Sequence, residues 1–485
     1  MGIKTTKNNT MVRVIHGERF TPFALCTKLN AKALLESASF EQGRGRYSIL
    51  LVRQAFSISH KKNGIYLSVD GYERKIDENR KYDPALKGAN RSIKTRDILD
   101  YALDFANEHT GEKFAFPFPA GGIGYLTYDY AFRFDEIRAA ERPDSLGIPD
   151  AYFLFGHVFL VFDHYTDTIS IIGVNYREHQ INLEKAIRDT EERINDLDFN
   201  YLLKPGKNYS SSVLLREEDR EEFLNGVSKV RREIIKGNLL QGVLSRRLYV
   251  RSEIPALEAY RRLRSLNPSP YMFYLDTGSF QLFGASPEIH IKVEHDRARI
   301  RPLAGTRRRG KTREEDLLLE HELKSDSKEK AEHLMLVDLA RNDLGKVCRA
   351  GSVEVTTSME VERYSAVMHL VSQVEGTLEG GKTGIDAIRA TFPAGTVTGA
   401  PKIRAMEVLS HLERERRSFY AGLVGYIEPE GSLDTCITIR SALKNDDIIV
   451  LQAGAGIVYD SVPEREYDET EAKLSALLRA LFVEV

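Results

Sequence analysis

Tryptophan is absent from this 485-residue chain, which leaves 22 Phe and 22 Tyr to carry its aromatic packing, and cysteine occurs only as Cys26, Cys348 and Cys436. Their wide spacing gives neither a CxxC pair nor an even disulfide framework. That excludes a disulfide-stapled secreted domain and a cysteine-type zinc site, and points to a reducing compartment. Neither sign of charge is in excess: the formal net charge is -2, so no long-range field favours nucleic acid. Long apolar runs are missing too. The longest, residues 151–162, is interrupted by Gly156 and His157, falls short of the ~20 residues a membrane span needs, and is expected to form two buried strands. The opening MGIKTTKNNT lacks the apolar segment of a signal peptide, so a cytoplasmic location is expected. There is no GxSxG elbow and no cysteine in a nucleophile-like setting, which leaves covalent hydrolase chemistry without support.

What is present is enough apolar material, 42% of residues, for a large core in two or three average domains or one large one with an appendage. ALCTKLNAKALLESASF reads as a strand entering a short helix, and RYSILLVRQAFSISHKKNGIYLSV as paired strands about a turn at Lys61 to Gly64. Helices are expected over 93–107, 182–197 and 216–236, with strands in LLQGVLSRRLYV, NPSPYMFYLDTG and FQLFGASPEIHIKV. The polar segment 203–212 marks the expected boundary between an N-terminal region, residues 1–205, and a second unit, residues 213–485. Strands and helices intersperse without regular βαβ alternation. The expected fold class is therefore α+β, a layered α/β sandwich with large, mainly antiparallel sheets, into which the N-terminal region is either woven or attached as a separate domain.

The stretch EKAEHLMLVDLARNDLG places Glu329 and Glu332 three residues apart, on one face of a helix, beside an apolar flank of Leu334, Met335, Val337 and Leu339. Glu466 and Glu469 repeat the spacing ahead of Lys473. Four carboxylates from two helices suit a hard cation such as Mg2+; two solvated helix faces, with a Glu469 to Lys473 ion pair, account for the spacing equally well. GTLEGGKT, residues 376–383, satisfies the phosphate-loop pattern after a strand-like run and before a helix-like one, although Glu379 sets a carboxylate where phosphates would sit. The basic loop RPLAGTRRRGKTR, with Arg307, Arg308 and Arg309 in succession, is followed at once by Glu314, Glu315 and Asp316, which favours a solvated or substrate-facing loop over a polyanion site.

Taken in order, RPLAGTRRRG, EHLMLVDLARNDLG, ERYSAVMHLVSQVEG, TFPAGTVTGAPKIRAMEVL and AGAGIVYDSVPEREYDETEAKL resemble the chorismate-utilising enzymes over about residues 216–485. The N-terminal part is more weakly similar to the first components of anthranilate synthases. The resemblance implies a Mg2+ site at Glu329, Glu332, Glu466 and Glu469. It implies contacts to one substrate carboxylate from Gly305, Thr306 and Thr396, and to the other from Tyr420, Arg440, Gly454, Gly456 and Lys473. Glu288 matches the family's general acid, and His369 a histidine tied to loss of pyruvate. Gln241 stands where water-adding members carry a lysine base, and glutamine cannot act as a general base. Ala304 stands where aminodeoxychorismate synthases carry a nucleophilic lysine. Leu35, Glu36, Ser37, Pro270, Tyr271, Met272 and Cys436 match a tryptophan feedback site, which gives the N-terminal region a regulatory and partner-contact role.

The resulting expectation is a large subunit that aminates chorismate with ammonia to 2-amino-2-deoxyisochorismate and then eliminates pyruvate to anthranilate. A separate glutamine amidotransferase subunit would supply the ammonia. The alternatives are an enzyme that stops at the aminated intermediate, an aminodeoxychorismate synthase, a nucleotide binder or a catalytically silent binding subunit.

Overall fold

The computed structural model describes residues 4–5, 9–39, 43–76, 96–196, 209–214, 218–364 and 367–483. Within them, 23 strands join by antiparallel pairing into one continuous hydrogen-bonded system, with helices packed against it, in agreement with the expected α+β class.

The long strand Ala151–Asp163 explains much of this arrangement. It pairs with Tyr47–Lys61 on one side and Thr168–Val174 on the other. Phe159 and Val161 enter one apolar core while Val158, Leu160 and Phe162 enter a second, and Ile49 and Leu51 against Leu50 and Val52 divide in the same way. A sheet covered on both faces needs apolar side chains at successive positions, which is why this run does not alternate. It was expected to be two strands. It is one, because Gly156 and His157 form a bulge, with register shifts around Gly156, rather than a turn. A Cβ on Gly156 would lie 2.6 Å from the Phe159 ring, so a bulkier residue there would displace core side chains.

Three further expectations are corrected. In ALCTKLNAKALLESASF the order is reversed: helix Pro22–Leu29 comes first, capped by Thr21, and strand Ala33–Glu36 follows Asn30, whose φ of 54° ends the helix. The capping Thr-Pro pair lies just upstream of the stretch inspected. In helix Ser327–Gly345 the buried stripe is His333, Leu336, Val337, Ala340 and Leu344, while Leu334 is exposed. The expected helices run Ile98–Asn107, Leu183–Asn195 and Asp219–Ile235; the outermost residues 93–95 and 216–217 lie outside the described residues.

Of the expected boundary segment 203–212, residues 203–208 also lie outside them, while strand Ser211–Leu214 pairs with Gln241–Ser252. Strands from the two sides of the boundary pair directly: Ala33–Glu36 with Tyr271–Asp276, and Ile123–Leu126 with Leu423–Ile427. No helix among the described residues is long and apolar enough to cross a membrane.

A buried ion pair fastens the strand Gln241–Ser252 to the segment ahead of Leu423. Arg417 is fully buried; its guanidinium donates to Glu413 through Nε and Nη2, to the Val397 carbonyl at 2.7 Å and to the Val243 carbonyl at 2.5 Å. Glu413 also accepts from the Ser245 amide and hydroxyl. Arg417 and the neighbouring Arg142 hold its carboxyl below the ordinary glutamate range despite burial. Removing one partner strands the other charge in the interior. Glu413→Ala is expected to cost about 3–5 kcal/mol in chemical denaturation, and pairing it with Arg417→Met to recover a large part of that loss.

Candidate active site

Glu329 and Glu332 lie in the first turns of helix Ser327–Gly345, whose N-cap Asp326 accepts the amides of Lys328 and Glu329. Glu466 and Glu469 lie in the opening turns of helix Pro463–Ala480. The helices bring these acids into one another's field: the Glu332 carboxyl is raised first by burial and then by the charges of Glu329, Glu466 and Glu469. Glu466 is raised by burial and by Glu469, against a lowering contact with Ser461.

Intramolecular cations answer part of this charge. Arg307 donates to Glu329 at 3.0 Å and Lys473 lies 2.6 Å from Glu469, the ion pair anticipated from spacing. Among the described residues no three His, Cys, Asp or Glu side chains form a metal-ligating cluster. The four acids lie in one another's field without forming a converged ligand set. Oxygen-only donors with uncompensated carboxylates fit a hard divalent cation.

Beside the acids, strand Leu303–Arg308 pairs with Val367–Thr377, opposing Thr306 to His369. Gly305 bulges here at φ 69°; a Cβ would sit 3.2 Å from Glu329 Oε2, so glycine lets the backbone approach the acidic face. His369 Nδ1 lies 3.0 Å from the Gly305 carbonyl and 3.0 Å from the Thr306 hydroxyl. Donation to the carbonyl leaves Nε2 as the free acceptor. Burial, reinforced by the charges of Arg440 and Lys473, lowers the His369 pKa to about 4, so the ring is neutral at pH 7. Tyr364, which sequence reasoning did not single out, meets this ring edge-on at 5.5 Å.

Lys473 connects the acids to the cationic side of the site. Its Nζ donates to the Gly454 carbonyl at 2.8 Å, and its own carbonyl accepts from Arg440 Nη1 at 2.8 Å. Tyr420 is buried, with its hydroxyl pKa raised to about 12 by desolvation. Gly454 and Gly456 lie on strand Ile448–Ile457, where added Cβ atoms would come 2.9 Å from the Tyr420 hydroxyl and 2.7 Å from Gln241 Nε2. Among the described residues one buried acceptor in this region, Gln241 Oε1, has no hydrogen-bond partner. An orphaned buried polar atom costs about 1–3 kcal/mol, which a polar ligand can relieve. Thr396 borders Glu288, whose carboxyl is raised by burial to about 8 against the opposing influence of Thr396 and Lys473.

The second group of predicted residues lies along a different strand junction. Strand Ala33–Glu36 pairs with Tyr271–Asp276, setting Glu36 opposite Met272 and Leu35 opposite Phe273. The Glu36 carboxylate is held by Arg264 in a two-pronged contact, 2.8 Å on each oxygen, and by the Tyr260 hydroxyl at 2.9 Å. The Ser37 carbonyl accepts from the Gly45 amide, and Pro270 is half-buried just before the strand. Tyr271 donates to Asp434 at 2.9 Å, two residues from the buried Cys436, whose thiol is raised by burial.

The competing motifs resolve differently. The strand leading into residues 376–383 is antiparallel to its neighbours, and the Leu378 and Glu379 amides are taken by the carbonyls of Asp296 and Val347, so no phosphate-cradling nest forms. Arg308 and Arg309 pair with Glu315 and Asp316, which neutralises the basic run locally.

The chain matches the family described as chorismate binding enzyme over residues 65–479. It is 54% identical to anthranilate synthase component 1 of Spirochaeta aurantia, covering 98% of this chain and 96% of that one. To the Aquifex aeolicus protein of the same name it is 40% identical, covering 95% and 92%. The fold superposes on the crystal structure of anthranilate synthase component I from Streptococcus pneumoniae with a TM-score of 0.78 and 35% identity, covering 96% and 99%.

The Glu288 environment makes a pH-dependent prediction. The folded state keeps this carboxyl protonated up to about 8, whereas unfolded glutamate ionises near 4.5, so stability falls as pH rises between those values. Glu288→Gln lacks that titration. Its Tm relative to the unsubstituted protein is expected to be higher at pH 9 than at pH 4.5, and a difference independent of pH would contradict the assignment.

Proposed function

The chain belongs to the chorismate binding enzymes and, within them, to the anthranilate synthase component 1 family, and from that premise we propose that it is the chorismate-aminating large subunit of an anthranilate synthase. Ammonia adds to the ring of chorismate as the ring hydroxyl departs, giving 2-amino-2-deoxyisochorismate; pyruvate is then eliminated and the ring becomes aromatic, the first step of tryptophan biosynthesis.

The observation that carries this reading is Glu288, a buried carboxyl protonated at neutral pH beside the Thr396 hydroxyl. Departure of a hydroxyl requires such a proton donor. Gln241 cannot deprotonate water, but its free Oε1 can accept a hydrogen bond from an incoming amine and orient it. His369, neutral with Nε2 available, is suited to take the ring proton when pyruvate leaves.

The two substrate carboxylates need separate anchors. Arg440, Lys473 and Tyr420, with the close backbone at Gly454 and Gly456, suit the enolpyruvyl arm. Gly305, Thr306 and Thr396 suit the ring carboxylate. Glu329, Glu332, Glu466 and Glu469 would hold Mg2+, which when bound offsets charge on the ring carboxylate and the departing oxygen. Ala304 offers no amine for covalent attack on the ring, which speaks against an aminodeoxychorismate synthase.

Cys26, Cys348 and Cys436 are all buried, so the glutaminase nucleophile belongs to a separate amidotransferase subunit. Tryptophan would bind at Leu35, Glu36, Ser37, Pro270, Tyr271, Met272 and Cys436, with Arg264 holding Glu36 in place; full activity at saturating tryptophan would rule that out. The unpaired thiols suit a cytoplasmic location.

The decisive test gives the purified chain chorismate, Mg2+ and excess ammonium, with and without EDTA. Metal-dependent release of both fluorescent anthranilate and pyruvate is expected. Chorismate loss without pyruvate would identify an enzyme that stops at the aminated intermediate, and no turnover would overturn the proposal. Glu288→Gln is expected to lower kcat by about 10²–10⁴, and kcat of the unsubstituted enzyme to fall as pH rises through about 8.

A further inference from the structure

Arg307 spreads one guanidinium over three carboxylates. Its Nε donates to Glu322 at 2.9 Å, Nη2 to Asp326 at 2.8 Å, and Nη1 to Glu329 at 3.0 Å. Nη1 also meets the Thr306 carbonyl at 3.0 Å. Only the Nη1 contact involves one of the four facing glutamates. The other two partners lie outside that set: Glu322 on the preceding helix, Arg313–Ser325, and Asp326 at the cap. The adjacent arginines are committed elsewhere, Arg308 to Glu315 at 2.8 Å and Arg309 to Asp316 at 2.9 Å.

A carboxylate oxygen that accepts a charge-assisted hydrogen bond is a weaker ligand for a second cation, because both draw on the same electron pairs and the two positive charges repel. We propose that Arg307 is a built-in placeholder: its hydrogen bond to Glu329 competes with ligation of a divalent cation by that carboxylate, and Glu322 and Asp326 retain the arginine when the cation takes Glu329. The proposal rests on the assignment of Glu329, Glu332, Glu466 and Glu469 as metal ligands. Two carboxylates that hold the arginine in either state make the exchange small, one hydrogen bond surrendered rather than a side chain released. The same arrangement gives the acidic face an internal counter-ion. The protein's metal affinity is then a balance between ligand geometry and an arginine that competes for one ligand.

The test titrates Mg2+ alone, without chorismate, into the purified full chain by isothermal titration calorimetry, comparing the unsubstituted protein with R307Q, R307K and R308Q. R307Q is expected to bind Mg2+ about two- to fivefold more tightly, and R308Q to bind as the unsubstituted protein does. R307K, which keeps the charge without the fork, is expected to fall between. The Mg2+-induced rise in Tm should be larger for R307Q, because its metal-free form has lost the counter-ion. Unchanged or weaker binding by R307Q overturns the placeholder, as does equal tightening in R308Q. If R307Q does not fold, R307K decides: tightening supports the placeholder and unchanged affinity overturns it. Absence of Mg2+ binding by the unsubstituted protein and all variants instead overturns the four-glutamate assignment, and the placeholder with it.

Discussion

The opening turns of two helices carry like charge within one another's field, and the site depends on that constraint. Glu329 and Glu332 on one helix and Glu466 and Glu469 on the other repel, yet both helices are anchored by buried residues further along, one through His333, Leu336, Val337 and Ala340, the other through Leu474, Leu477 and Leu478. Apolar burial of this size outweighs surface Coulomb repulsion, which water screens. Burial first, and the neighbouring carboxylates after it, raise the carboxyl pKa values of Glu332 and Glu466. Cations of either kind, Arg307 and Lys473 within the chain or a bound metal, then have a prepared destination.

The remainder of the site follows from close backbone approach. Gly305, Gly454 and Gly456 lie at points where a side chain would collide with Glu329, the Tyr420 hydroxyl or Gln241. Burial around these gaps keeps the local dielectric low. That environment protonates Glu288 and deprotonates His369 at the same pH, so an acid and a base coexist a short distance from two cationic side chains.

What could be read in the sequence was whatever spacing within one element decides. The paired glutamates, the Glu469 to Lys473 ion pair and the hairpin at Lys61 to Gly64 all depend on residues at most four apart, and each is found. What could not be read depends on partners distant in the chain. Arg307 looked like one of three solvated arginines, and its engagement with Glu329 exists only because a strand and a helix meet. Glu36 looked free to meet a ligand, whereas Arg264, more than two hundred residues away, already grips it. Gly156 signals a break equally well whether it makes a turn or a bulge, and only the flanking strands decide between them. The family resemblance added which carboxylates to consider together; it did not reveal what they touch.

The strand Ile123–Leu126 is hydrogen-bonded to Leu423–Ile427, a partner roughly 300 residues later in the chain. On a ribosome adding about 5–20 residues per second, that edge waits on the order of 15–60 s for its neighbour to be synthesised. During that interval the nascent chain carries Ile123, Tyr125 and Leu126, all buried in the finished protein, beside an unpaired row of amides and carbonyls. Biosynthesis of this protein therefore includes a period of aggregation risk whose length is set by sheet topology, and a chaperone that shields an open strand edge would act on the 123–126 segment before the C-terminal half emerges.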